Sequence, residues 1–169
     1  MAATIELYLV RHAIAAERGP NYPDDRKRPL TTEGIARFKR AVEGLKDLDV
    51  TIDLVLTSPL TRATHTAELL VAGVEGKPRI EPVEALAPGS RIVEVLEVIQ
   101  KYGKRSKHIA LVGHEPDLGE LAARLLRARG TIAFKKGAIC CLELDGAMPA
   151  GPGTLKWFLP PRALRKIGR

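Results

Sequence analysis

Aromatic residues make up only 4% of this 169-residue chain. A row of exposed rings for stacking on nucleic-acid bases is therefore not expected, and the core has to be assembled from Leu, Val, Ile and Ala. Cysteine is scarcer still: Cys140 and Cys141 are the two present. As neighbours in a strand they point to opposite faces, which argues against their pairing with each other. Neither has a Cys or His partner at zinc spacing, so the expectation is a reduced compartment, one buried thiol and one outward thiol, and no metal. No apolar run approaches membrane-spanning length. The start of the chain shows no basic region followed by an apolar run and a small-residue cleavage site. These readings predict a cytoplasmic protein without a membrane partner.

Charge is plentiful but lopsided, with a formal net charge of +7. The basic residues are scattered, with local groups at Arg26 to Arg28, Lys104 to Lys107 and Arg162 to Arg169. Without a long basic amphipathic helix, a solvated surface with a basic tail is expected over a nucleic-acid groove. A field that attracts phosphorylated anions fits the same balance. The length suits one domain with one core, spanning 1–169 with a peripheral basic tail from about residue 160.

Hydrophobic patterning supplies the elements. Ile5 to Val10 is a short apolar run, read as a buried strand. A loop rich in Pro, Gly, Asn and Asp runs to about Leu30. A helix then begins with Thr32 as N-cap and carries an Ile35, Phe38, Val42, Leu45 stripe. Asp53 to Thr57 is a strand, followed by a helix over Thr61 to Val71. A short strand lies within Arg79 to Ala87, and Ile92, Val95, Leu96 and Ile99 mark a helix. His108 to Val112 has the character of a buried parallel strand, and Leu118 to Leu126 is helical. Ala138 to Leu144 and Thr154 to Phe158 are late strands joined across Gly146 to Gly153. Alternating strands and helices predict an α/β three-layer sandwich with a mostly parallel sheet and helices on both faces.

In such sheets ligands bind beyond the carboxyl ends of the strands. Here the first strand ends in Arg11-His12, the second at Ser58-Pro59 with Arg62 one turn into the next helix, and another runs into Gly113-His114. Two imidazoles and two guanidiniums converge on one sheet edge. Guanidiniums bind phosphate oxygens bidentately, and helix N-termini add backbone donors. Of the remaining residues, His65 reads as surface, His108 as solvated, Trp157 and Phe158 as packing, and Glu115 as a helix cap.

Leu9-Val10-Arg11-His12-Ala13 resembles the "RHG" signature of the histidine-phosphatase (phosphoglycerate-mutase-like) superfamily, with Ala in place of Gly. Arg28-Pro29-Leu30-Thr31-Thr32-Glu33-Gly34 resembles its "LT..G" segment. Ser58-Pro59-Leu60-Thr61-Arg62-Ala63 with Thr66-Ala67 resembles "SPL.RA..TA", and Val112-Gly113-His114 resembles "VGH". The small SixA-like phosphohistidine phosphatases are the nearest subgroup in pattern. The resemblance implies that His12 is the nucleophile, that Arg11 and Arg62 clamp the phosphoryl group, and that His114 donates to it. It also places Arg28 beside the phosphate and makes Asp25 the general-acid candidate. Glu84 matches a structural Glu, and the acid position used by larger members is not filled. No cofactor is implied.

The expected reaction moves a phosphoryl group to neutral His12 and then to water, with activity falling below about pH 6. Phosphohistidine in a protein is the first substrate class and a small phosphomonoester the second. A non-catalytic module binding phosphate or nucleic acid is the third reading. Composition says nothing about the oligomeric state.

Overall fold

The computed structural model describes residues 3–147 and 152–169. Its centre is a six-stranded sheet in the order β3-β2-β4-β1-β5-β6, where β1 is Ile5–Arg11, β2 Leu54–Thr57, β3 Arg79–Pro82, β4 His108–Gly113, β5 Ile139–Leu144 and β6 Thr154–Leu159. The first four strands are mutually parallel, and β5 and β6 join antiparallel beside β1. Five helices accompany them: α1 Thr32–Lys46, α2 Thr61–Gly73, α3 Ile92–Gly103, α4 Asp117–Leu126 and α5 Pro161–Ile167. The expected α/β sandwich with a mostly parallel sheet is therefore what the chain forms. The link between the last two strands falls partly outside the described residues.

The period-2 alternation of each strand divides the core into two layers. Tyr8, Val10, Val55, Ala110 and Val112 pack with α1, α2 and Leu164 of α5 on one face. Ile5, Leu7, Leu9, Leu54, Leu56, Ile109 and Leu111 pack with α3 and α4 on the other. Because helices cover both faces, both cysteines are buried, Cys140 against α3 and α4 and Cys141 against the opposite layer. The expected outward thiol is not found. Burial pushes both thiols up to about 12, so neither is a thiolate near neutral pH.

Several boundaries differ from the periodicity reading. Thr31, not Thr32, caps α1, its hydroxyl accepting from Gly34 N–H at 2.9 Å. The third strand stops at Pro82, which an edge strand tolerates because the missing N–H leaves no ladder bond open, and Glu84–Leu86 turns into a 3₁₀ helix. His108 is not simply solvated, since its Nδ1 lies 3.0 Å from Asp53 Oδ2. Trp157 and Phe158 pack as expected, against Tyr8 and Phe134 respectively.

The largest correction is the tail. Pro161–Ile167 is a helix laid along α1, with Leu164 fully buried. Burying one leucine contributes roughly 1.5–3 kcal/mol. Close approach of the two helices depends on Gly44 and Gly168. A Cβ on Gly44 would stand 2.1 Å from the Leu164 carbonyl oxygen, and one on Gly168 would stand 2.7 Å from Gly44 N. Gly44→Ala is thus expected to destabilise the protein by about 1–3 kcal/mol through overpacking. That exceeds the roughly 1 kcal/mol by which alanine favours a helix over glycine. Urea unfolding measures it, and an unchanged or raised midpoint would mean that α5 does not sit against Gly44.

Candidate active site

Register places the two imidazoles. Arg11 at the end of β1 is paired with Gly113 at the end of its parallel neighbour β4. The next residue on each strand is a histidine, so His12 and His114 emerge side by side. His12 N–H donates to the Gly113 carbonyl at 3.0 Å, and the rings lie 5.2 Å apart between centroids at 55°. On the other flank Thr57 of β2 pairs with Val112, which brings Ser58 beside His114. Arg62 enters from the first turn of α2 and is 2% exposed.

The segment after His12 is held from two sides. Ala13 N–H donates to Thr66 Oγ1 at 3.0 Å, and that hydroxyl donates onward to the Arg62 carbonyl at 2.7 Å. One threonine therefore ties the His12 loop to the helix that carries Arg62. On the other side Ile14 lies against α1, where Thr31 N–H donates to its carbonyl at 3.0 Å. A Cβ on Gly34 would come within 2.2 Å of that same oxygen. This close approach is the physical reason for glycine at the end of the Leu-Thr-Thr-Glu-Gly segment.

The proton on His12 can be assigned from its partner. His12 Nδ1 lies 2.7 Å from the Ala13 carbonyl oxygen. A carbonyl only accepts, so Nδ1 carries the hydrogen and Nε2 keeps its lone pair. His114 Nε2 lies 2.7 Å from Ser58 Oγ, which itself accepts from Leu60 N–H. The fully buried Ser58 hydroxyl can donate to Nε2, and in that tautomer Nδ1 is an N–H donor.

Burial lowers the pKa of His12 to about 4, against the Ala13 hydrogen bond, which favours the charged ring; Arg62, Arg11 and Lys136 push it lower. Burial likewise takes His114 to about 3, with help from His12 and Arg62 and opposition from Asp25. Both rings are neutral at physiological pH. The expected loss of activity near pH 6 rested on an ordinary histidine, and burial is what overturns it.

Arginines complete the cluster. Arg11, His12, Arg28, Arg62 and His114 line one cavity of about 360 Å³. Arg11 Nη1 donates to the Phe134 carbonyl at 2.6 Å, and the nearby Glu115 carboxylate partly offsets the burial that lowers the Arg11 pKa. Glu115 also accepts from Gly119 N–H in the first turn of α4 and from Phe134 N–H, the capping role expected of it with a second tie to the loop that holds Arg11. Arg62 gives Nη1 to the Asp25 carbonyl at 2.8 Å and Nη2 to Asp25 Oδ2 at 3.0 Å. Arg28 gives Nε to Asp25 Oδ1 at 2.9 Å and Nη1 to the Ala16 carbonyl at 2.6 Å. For Asp25 the slight burial favours the neutral acid, but the Arg28 hydrogen bond and the charge and hydrogen bond of Arg62 outweigh it and hold the carboxyl below its usual range. Asp25 does not line the cavity; it reaches the site through these two arginines.

Three buried nitrogens among the described residues have no hydrogen-bond partner: Arg11 Nε, Arg62 Nε and His114 Nδ1. Buried donors normally find acceptors, and all three belong to residues around the same cavity. A tetrahedral anion supplies several oxygens at once. Such a site can bind a phosphoryl group through guanidiniums and N–H groups, and it offers an unprotonated imidazole nitrogen beside it. Among the described residues no group of three His, Cys, Asp or Glu side chains is placed to hold a metal ion.

Sequence reasoning brought forward Arg11, His12, Arg28, Asp25, Arg62 and His114, and the fold collects all six. It passed over Ser58, Thr66 and Lys136. Ser58 and Thr66 lie inside the quoted Ser-Pro-Leu segment and its extension, where position alone could have raised them. Lys136 has no local signal beyond its basic neighbour Lys135. His65 lies half-buried on α2 and outside the cavity.

Residues 7–88 match the family model described as histidine phosphatase superfamily (branch 1). The chain is 37% identical over 145 residues to an uncharacterised protein of Picosynechococcus, covering 79% of this chain and 87% of that one. It is 29% identical over 164 residues to phosphohistidine phosphatase SixA of Escherichia coli, covering 95% of this chain and 97% of the relative. Among solved structures, the protein histidine phosphatase SixA complexed with tungstate superposes with a TM-score of 0.84 at 28% identity, over 95% of this chain and 99% of that one. With the convergent arginines and imidazoles already in place on geometric grounds, these matches establish that the chain belongs to the histidine phosphatase superfamily.

Proposed function

We propose that the chain is a phosphohistidine phosphatase working as one domain over residues 1–169, in the cytoplasm, on phosphorylated histidine in a protein partner. The observation that carries the reading is His12: its Nδ1 hydrogen is tied to the Ala13 carbonyl at 2.7 Å while Nε2 stays unprotonated in a cavity rimmed by arginines. Binding a phosphate needs no neutral nucleophile, whereas transferring one does.

In the first step the Nε2 lone pair of His12 attacks phosphorus. An Nε2–P bond forms, and the bond to the leaving group breaks with its electron pair, the leaving group then taking a proton from solvent water at the open rim. In the second step water attacks the same phosphorus, the Nε2–P bond breaks, inorganic phosphate leaves and His12 is restored. Phosphoryl transfer asks chiefly for positioning and charge stabilisation. Arg11, Arg28 and Arg62 supply charge, and His114 Nδ1–H supplies a donor that does not change protonation at neutral pH.

A protein substrate is supported by the rim. Glu17, Arg18, Pro88 and Lys136 line the cavity and are exposed, so a side chain carried by another protein can reach it. The match to SixA along nearly the whole chain supports the same choice. Turnover of a phosphohistidine protein is expected to exceed that of sugar and nucleotide phosphates by kcat/KM, and faster turnover of the small phosphates would transfer the assignment to them. His12→Ala should lower kcat on the order of a thousandfold or more while phosphate still binds. Labelled phosphodonor should leave acid-labile label on His12 alone.

The acid limb of kcat/KM reports the free enzyme. Since the neutral ring is the active form and its pKa is lowered to about 4, activity should persist through pH 6 and 5 and fall near pH 4. This is read after correction for the substrate's own phosphate ionisation near pH 6. A limb at pH 6 to 6.5 would mean that His12 is solvated like a free imidazole.

Asp25 was the general-acid candidate. Ionised between Arg28 and Arg62, we assign it instead to holding those guanidiniums. Asp25→Asn should then raise KM and lower kcat alike for good and poor leaving groups, by about tenfold for the loss of a charge-assisted pair. A loss confined to poor leaving groups would restore the acid role.

A further inference from the structure

A second recess adjoins the catalytic cavity. It has a volume of about 200 Å³ and lies between α1, α5 and the loop before β5. Its floor is apolar, formed by Ala13, Phe38 and Pro160 among others, and its rim carries Arg37, Lys135, Lys136, Arg162 and Arg165. No carboxylate lines it. Lys136 lines both cavities, and Ala13 is the residue next to His12, so the two lie side by side.

The rim differs from an ordinary solvated surface in its charge. Arg37 pairs with Glu33 across one turn of α1. Lys135, Lys136, Arg162 and Arg165 make no ion pair among the described residues. Folding nevertheless brings Arg37, Arg40, Arg162 and Arg169 close enough to Arg165 that, after its burial, their like charges lower its pKa. Same-sign crowding of this kind is unfavourable in the isolated protein and becomes favourable opposite an acidic partner.

Size and lining decide what kind of partner fits. Small-molecule sites usually occupy about 300–1,000 Å³, so this recess suits a protein side chain or two rather than a metabolite. Single-stranded nucleic acid needs rings to stack on. The aromatic residue here, Phe38, is 2% exposed and offers no face.

We propose that this recess is a docking subsite for an acidic segment of the phosphorylated protein partner, occupied while the partner's phosphorylated side chain lies against His12. The inference rests on the phosphoprotein reading above and names the partner's chemistry: Asp- and Glu-rich sequence with an occasional apolar side chain, close to the modified histidine. Lys136 is the shared boundary, facing the phosphoryl group on one side and the acidic segment on the other.

The test reverses charge at two exposed rim positions outside the catalytic cavity, in Lys135→Glu with Arg162→Glu. Arg162 lies in the first turn of α5, where a carboxylate suits the helix dipole, and a neutral Lys135→Gln with Arg162→Gln variant guards against misfolding. The probes are a fluorescein-labelled Glu- and Asp-rich peptide and a length-matched Gln- and Asn-rich peptide, read by anisotropy. Phosphohistidine peptides with the same two flanks, together with free phosphohistidine, are read by turnover. Wild type should prefer the acidic peptide, and the preference should fade on raising salt to roughly 0.5 M. Charge reversal should weaken acidic-peptide binding and kcat/KM about tenfold or more, the neutral variant less, with neutral peptide and free phosphohistidine unchanged. Equal binding of acidic and neutral peptides, an equal loss on both in the variants, or tighter binding of a charge-matched oligonucleotide overturns the proposal. Preferential acidic-peptide binding without turnover of any phosphohistidine probe would instead remove the substrate reading on which it rests.

Discussion

The active edge of this sheet depends on keeping one imidazole uncharged among guanidinium groups. Burial is the main agent. It penalises the imidazolium of His12 more than the Ala13 carbonyl can favour it, and the arginines add to the penalty. The same carbonyl holds the ring's hydrogen on Nδ1, so one contact sets both orientation and tautomer. Its position is in turn secured by Thr66, which takes the Ala13 N–H, and by the bare Cα of Gly34, against which the Ile14 carbonyl rests. Gly34 and the Thr66 hydroxyl thus act on His12 at one remove, through the positions of Ala13 and Ile14.

Charge balance around that ring is local and unequal. Asp25 gathers Arg28 and Arg62, and Glu115 stands near Arg11. Asp25 aligns two guanidiniums and the Phe134 carbonyl holds Arg11, while the Nε atoms of Arg11 and Arg62 are left without partners. Guanidinium and imidazole groups, three of them with an unpartnered buried nitrogen, thus line one cavity in a fixed arrangement. Toward α5, Arg37 pairs with Glu33, but Lys135, Lys136, Arg162 and Arg165 make no ion pair among the described residues. The basic excess visible in the net charge of +7 becomes, after folding, a rim of cations beside the pocket.

Much of this architecture could be read directly from residue patterns. Short apolar runs at Ile5 to Val10 and His108 to Val112 and 3.6-period stripes in the helices report local geometry and burial, and both are local properties. Motifs at strand ends were legible because parallel strands share a carboxyl edge, which makes distant residues neighbours by topology. Errors arose where tertiary context decides. The expectation of one outward thiol among Cys140 and Cys141 fails because β5 lies between β1 and β6 with packed layers on both faces, which covers both. The stretch from Pro160 reads as a peripheral basic tail because a helix of two turns, rich in basic residues, shows its purpose only when Leu164 meets α1. His108 was read as solvated because Asp53 lies far from it in the chain.

The sequence by itself determined the layered α/β class and the cationic and imidazole residues delivered to the sheet edge, since side-chain chemistry and strand topology travel with the chain. Only the tertiary structure decided the protonation of His12 and His114, the assignment of Asp25 to Arg28 and Arg62, and the gathering of α1 and α5 arginines beside the pocket. Those properties depend on desolvation and on distances across the fold, and neither quantity exists until the core has closed.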